Sequence, residues 1–295
     1  MNAIEAVPRT YRDAKAILAE SIIWDKSGDL MWCDITSGLL HRSPFDSQED
    51  GSADGVLVLP PPLASFAPAV GGGYVASLGD RVVLVDSAGS ITRTLATIAH
   101  SHDGMRLNEG KVDPFGRWVT GSMNLVTDAA DAALYSVDNN GALATLRGGF
   151  GVANGFEWSE DGATIYFTDT AVETIYRGDY SHSGEITNVE PFHSGEPHDG
   201  LVMDSQGFLW SGIYGGGRVV RYSPDGREVE SVELPAPNIT SVAFGGPDLS
   251  TLFVASAREN LTEDQLEQHP LSGAIFAIDT NVHGRPPRLF GAVER

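Results

Sequence analysis

The chain has 295 residues, 41% of them hydrophobic, which suffices for a large buried core, and its 40 acidic against 19 basic residues leave a formal net charge of −21. So acidic a surface repels phosphate backbones and argues against nucleic acid as a partner, while it suits carboxylate-lined cation sites. No run approaches the roughly 18 apolar residues of a membrane span, and the single cysteine, Cys33, excludes an internal disulfide and a cysteine-cluster zinc site.

The N-terminal stretch MNAIEAVPRTYRDAKAILAE lacks the basic start and apolar middle of a secretory signal, which implies a cytoplasmic protein. Short apolar runs then follow turn signals along the whole chain. Gly28-Asp29 opens LMWCDI, where Cys33 reads as a packed small hydrophobe. Three prolines at 60–62 mark a rigid corner, and three glycines at 71–73 lead into YVASL. His100, His102 and Asp103 fit no strand or helix face and read as a loop over one end of the fold. Pro114-Phe115-Gly116 opens RWVTG, Asp161-Gly162 opens ATIYFTD, Ser205-Gln206-Gly207 opens FLWSG, and Pro247 to Ser250 open TLFVAS. Short helices are predicted only near residues 127–133 and 262–268.

Trp24, Gly72, Val112, Trp158, Val202 and Val242 serve as equivalent points, and they recur every 40–48 residues. About four short strands per unit at that period is the pattern of propeller blades. Six units fill the chain, so residues 1–295 read as a single all-β domain, a six-bladed β-propeller. A pair of β-sandwiches is the competing arrangement, and the constant period argues against it. Ring closure predicts that AIFAID at 274–279 pairs with a strand near residues 12–19. The five tryptophans fall in strand runs and read as packing between blades.

The innermost strand of each blade lines a central channel. Polar residues occur in matching phase at its start: Glu20, Asn108 and Asn154 each lie four residues before their reference points, Asp199 lies three before, and Arg106 precedes Asn108 by two. They are expected to converge from four blades at one mouth. Convergent carboxylate and amide oxygens suit a hard divalent cation that could polarise a carbonyl and activate water. The competing view is that Asn154-Gly155 and Asp199-Gly200 are repeated turn residues without function.

These same residues lie in motifs that resemble the gluconolactonase/regucalcin (senescence marker protein) family of six-bladed propellers. The similarity runs through LAESIIWDKSGDLMWCDITSGLLHR (18–42), RLNEGKVDPFGRWVTGSM (106–123), NGFEWSEDGATIYFTDT (154–170), HDGLVMDSQGFLWSG (198–212) and ITSVAFGGPDLSTLFVASA (239–257). The resemblance implies that Glu20, Asn154 and Asp199 bind one divalent cation, Ca2+ foremost, with Zn2+, Mg2+ or Mn2+ as alternatives. It implies that Arg106 and Asn108 hold a sugar lactone over the cation, and that the lactone is hydrolysed to its hydroxy acid, with Asp199 also a possible general base. Three departures bear on the substrate. Ala19, Ser21 and Ile22 stand where the family has glycine and proline, Glu109 stands where it has aspartate, and Val126 stands near the place of a substrate-contacting glutamate.

Glu109, Asn124 and His198 complete the expected substrate-facing set, although His198 reads equally well as a loop histidine. Lys111 and Asp113 read as a structural pair or as turn caps. Tyr214, before three glycines at 215–217, lines one mouth or the other. The partner expected is a small-molecule sugar lactone, with no nucleic acid and no membrane, and the protein is expected to be a monomer or small homo-oligomer. The alternatives are a calcium-binding regulatory protein with little catalysis and a propeller phosphotriesterase.

Overall fold

The structure, a computed structural model, describes residues 7–47 and 51–292. Six four-stranded antiparallel sheets form the six blades of a β-propeller. The inner strands are Ala19–Trp24, Leu63–Pro68, Met105–Val112, Ala153–Trp158, His198–Met203 and Asn238–Gly245 for blades one to six. Each of the first five blades then runs outward through three further strands in chain order.

The turns explain why the sequence keeps this path. In the hairpins after Asp25, Asp86, Asp113, Asp138 and Asp204, the aspartate Oδ1 accepts backbone N–H groups two and four residues on. Each turn ends on a glycine with positive φ, such as Gly28 at 88° and Gly116 at 80°, a conformation costly for side chains with a Cβ.

Blade six closes the ring. Its inner three strands, Asn238–Gly245, Thr251–Ala257 and Ile275–Asp279, are completed by Arg9–Arg12 from the other end of the chain. The pairs are Arg9 with Ala277, Thr10 with Phe276 and Arg12 with Ile275. The closing strand is therefore earlier than the 12–19 segment expected. Residues beyond Arg12 cross to blade one, with one bridge from Leu18 to Ala257.

Two other expectations are corrected. Residues 127–131 form an irregular loop and Ala132 begins a strand, so no helix lies there; Asn124 takes up the loop's donors instead. Gly72 sits in the hairpin after Pro68 rather than on an inner strand, because the glycine run satisfies the turn. The helix near 262–268 is present as Glu263–Gln268, with Thr262 and Gln265 in a capping box. The core lies between blades. Trp32, Trp118, Trp158 and Trp210 are fully buried, and Trp210 meets Phe244 of the next blade edge-on at 6.1 Å. Cys33 is wholly buried among Met31, Leu40 and Phe66, and burial pushes its thiol well up.

Candidate functional site

All six inner strands share one irregularity. The register against the second strand slips by one residue between Glu20 and Ile23, Leu63 and Ser65, Leu107 and Gly110, Asn154 and Phe156, His198 and Leu201, and Ile239 and Val242. Such a bulge re-aims a side chain out of the regular alternation. Glu20, Asn108, Asn154 and Asp199 all stand at or beside these slips. Gly155, inside one of them, has φ 33°, and a Cβ there would meet the Asp199 carbonyl at 2.2 Å. Asn154-Gly155 is thus a bulge that brings blades four and five together, not a hairpin turn.

At two of the bulges a carboxylate fixes the approach. Asp34 accepts the N–H groups of Ile17 and Leu18 just before Glu20. Asp169 does the same for Gly151 and Val152 just before Asn154. Both sit at the end of a second strand, so the same sequence position sets two of the proposed ligands.

Glu20, Asn154 and Asp199 are 7%, 5% and 3% exposed, and each keeps one oxygen without a protein partner: Glu20 Oε2, Asn154 Oδ1 and Asp199 Oδ1. Buried oxygens seldom lack a donor. The orientation of the amide follows from its neighbours. Thr170 donates its hydroxyl to the His198 carbonyl at 2.6 Å, so it accepts from Asn154 Nδ2 at 3.3 Å. That leaves Asn154 Oδ1 as the free atom. Burial, then Asp199 and Glu109, pushes the Glu20 carboxyl well above the usual range. Burial, then Glu109, does the same to Asp199, opposed by Arg106 and a hydrogen bond from Asn154. Two buried carboxyls and an amide, each with an unused oxygen, fit a hard divalent cation in donor type and in charge.

Arg106 is 9% exposed, and burial lowers its pKa against the pull of Glu259, Glu20 and Asp199. Its Nη1 donates to Asn108 Oδ1 at 2.7 Å, and Asn108 Nδ2 donates to the Ala153 carbonyl at 3.3 Å. Both ends of Asn108 are thereby engaged in holding Arg106 against blade four. Glu109 accepts from its own Gly110 N–H, and burial raises its carboxyl to about 6 despite Lys111.

The other two expected substrate contacts are turned elsewhere. Asn124 caps the 125–131 loop, donating to Thr127 and Asp131 and accepting from Val126 and Thr127. His198 is fully buried, bonds Ser211 through Nδ1 at 3.1 Å, and packs edge-on against Tyr222 and His193. Burial, with His193 and Arg218, lowers its imidazole to about 3. The register slip between His198 and Leu201 places Asp199 in a bulge, which re-aims it independently of its neighbour. Lys111 pairs with Glu157 at 2.8 Å, while Asp113 caps its own turn and pairs with Arg117 at 2.7 Å. The loop holding His100, His102 and Asp103 docks on the 125–131 loop, through His102 to Asp131 at 3.4 Å.

Three contributors at this mouth carried no signal in the inner-strand phase. Thr170 orients Asn154 from a short 3-10 turn after a second strand. Tyr214 donates to the Glu259 carbonyl at 3.4 Å and accepts from Asn260 at 2.9 Å, and its hydroxyl is pushed to about 12 by burial. Glu259 is the strongest of the charges that support Arg106.

A cavity of about 490 Å³ lies away from this mouth. It occupies the channel toward the far ends of the inner strands, among Trp24, Val112, Met203 and Phe244, and the segment Arg285 to Leu289 covers it. Glu20, Asn154 and Asp199 do not line it, whereas Glu109 does. The unpartnered oxygens of Glu20, Asn154 and Asp199 lie outside its lining.

Residues 18–258 match the family model described as the SMP-30/Gluconolactonase/LRE-like region. A 6-deoxy-6-sulfogluconolactonase of Pseudomonas putida is 35% identical over 93% of this chain and 95% of its own. Regucalcin of Oryctolagus cuniculus is 32% identical over 91% of this chain and 93% of its own. Among solved structures, a calcium-binding protein, regucalcin, from Agrobacterium tumefaciens superposes with a TM-score of 0.88 at 30% identity, covering 97% of both chains. On the strength of these matches, carried over nearly its whole length and on the same propeller, the chain belongs to the SMP-30/gluconolactonase/LRE-like family.

Proposed function

We propose that this chain is a lactonase that hydrolyses a sugar lactone to its aldonic acid, using a divalent cation held by Glu20, Asn154 and Asp199. One observation carries the reading: three buried oxygens from three blades have no partner, while Glu20 and Asp199 feel the charge of Arg106 and Asn154 hydrogen-bonds Asp199. The relatives named for lactone hydrolysis support the reaction class.

When bound, the cation would polarise the lactone carbonyl and lower the cost of the oxyanion. Arg106, held by Asn108, donates hydrogen bonds to the sugar's hydroxyl or ring oxygens. Asp199 takes the proton of the attacking water as its oxygen bonds to the carbonyl carbon. The ring C–O bond then breaks, and the proton goes to the departing ring oxygen, which becomes the hydroxyl of the product. Asn154 keeps its oxygen inward because Thr170 cannot donate to it. The changed residues around this set, Glu109 and Val126 above all, favour an aldonolactone modified away from the metal-facing end. The name of the Pseudomonas putida relative, which specifies a sulfo-sugar lactone, is compatible with that.

The experiment is acid release from a panel of five- and six-membered aldonolactones, 6-sulfo derivatives included, after chelation and after return of Ca2+, Mg2+, Mn2+ or Zn2+. Fast metal-dependent opening of one lactone is expected. Tight Ca2+ binding without turnover would instead support the regulatory reading that the regucalcin relatives favour. Turnover on phosphotriesters alone would move the chain to that chemistry. We further propose that it acts in the cytoplasm, as a single domain over residues 1–295, as a monomer or small homo-oligomer. Among the described residues no helix is long and apolar enough to cross a membrane.

A further inference from the structure

We propose that His193, Glu196 and His198 form a second metal site, separate from the oxygen-lined centre, that takes a borderline transition metal of the Zn2+ type. One ligand atom from each lies within 4.8 Å of the others. A tetrahedral zinc site with bonds of about 2.0–2.1 Å has ligand atoms about 3.3 Å apart, so closing requires a modest movement.

The hydrogen bonds fix both imidazoles in the tautomer a metal needs. His193 Nδ1 faces the Gly226 carbonyl at 3.0 Å, and a carbonyl only accepts, so the proton is on Nδ1. Ser211 gives its hydroxyl proton to the Gly212 carbonyl at 3.2 Å and so accepts from His198 Nδ1. Each Nε2 therefore carries a free lone pair, and each ring is oriented by a second-layer oxygen, as ligating histidines are. His198 is wholly buried, and its Nε2 has no partner. An unpartnered nitrogen in that position is costly unless something sits against it.

Tyr222 holds the rings in place, 4.3 Å from His193 and 5.6 Å from His198 between centroids. It also donates to Glu196 Oε2 at 3.2 Å. Arg218 pairs with Glu196 Oε1 but has a second carboxylate, Glu228, at 3.1 Å. A carboxylate has about four lone-pair positions, so two donors leave Glu196 able to ligate. His193 and Glu196 are partly exposed, which gives a metal ion access and leaves a position for water. Two imidazoles with one carboxylate select zinc-like ions, whereas the all-oxygen set at Glu20, Asn154 and Asp199 suits Ca2+. The assignment does not depend on the lactonase reading.

The test is a Co2+ titration of the full chain in millimolar Ca2+, read by the visible absorption of four-coordinate cobalt, with Zn2+ competition. One equivalent should bind and be displaced by Zn2+. His198 is fully buried and its replacement risks the fold, so His193→Gln is the informative variant, with Glu196→Gln second. His193→Gln should weaken Co2+ binding at least tenfold, and Glu20→Gln should leave it unchanged. Absence of the cobalt band, wild-type affinity in His193→Gln, or loss of the band in Glu20→Gln would each overturn the assignment.

Discussion

Glu157 offers a sharp test of how the channel is held together. Its carboxylate lies three residues beyond Asn154 on the same inner strand, 5% exposed, and accepts from Lys111 at 2.8 Å and Arg285 at 3.2 Å, with Arg288 at 4.0 Å. Burial alone would raise its pKa, but the three cations win and hold it at about 2, against an ordinary 4.5. At about 1.36 kcal/mol per pKa unit, that difference is worth about 3 kcal/mol. Because the folded-state value is depressed, the contribution is complete above about pH 4.5 and is lost as pH falls toward 2. Glu157→Gln removes the charge with little change of shape and leaves Lys111 and Arg285 facing each other without it. Stability at pH 7 should fall by about 3–5 kcal/mol, the usual cost of breaking a buried pair. Urea unfolding of wild type and variant at pH 7, 5, 4, 3 and 2 isolates the group, because other carboxyls titrate equally in both. The gap should hold from pH 7 to 5 and shrink by about 3 kcal/mol by pH 2. A gap independent of pH would refute the assignment of the stabilisation to this carboxylate's charge.

Chelation should lower the melting temperature and stop lactone opening, and Ca2+ should restore both. A cation at a hundredfold excess over its Kd adds about 2.7 kcal/mol, which for a chain of this size corresponds to roughly 4 °C; an unchanged melting temperature would remove the cation from the site. Glu20→Gln should make the chelated protein more stable than chelated wild type, because burial, Asp199 and Glu109 all penalise the Glu20 charge. The same variant should bind Ca2+ at least tenfold more weakly by calorimetry, and a variant less stable than wild type in EDTA would contradict the electrostatic account. Gly155→Ala should cost several kcal/mol and weaken the cation site together with the fold, since its Cβ would sit 2.2 Å from the Asp199 carbonyl. Wild-type melting and Ca2+ affinity in that variant would show that the bulge is not constrained.

The architecture was legible because it repeats. A 40–48-residue period and Asp-x-x-Gly turns betray a ring of blades without any single strand being certain. The phase of Glu20, Asn154 and Asp199 was legible for the same reason, since equivalent strands begin alike. Gly72 misled because a glycine run marks a turn as readily as a strand start. Helix propensity at 127–133 yielded to Asn124, whose amide makes four hydrogen bonds to Val126, Thr127 and Asp131. His198 could not be placed from sequence, because the bulge that turns Asp199 inward depends on a register slip that leaves no composition signal. Thr170 and Glu259 act through turns and charge at a distance, and neither falls in the strand period.

The closure of blade six has a consequence for how the molecule is made. Arg9–Arg12 is synthesised more than 260 residues ahead of its partner Ile275–Asp279. At roughly 5–20 residues per second, that strand waits on the order of tens of seconds with no edge to join. Blades one to five can assemble as they emerge, each against the one before. The ring itself is sealed only once Ile275–Asp279 has emerged, so the channel, and with it the geometry of both mouths, comes into being after all five other blades have been made.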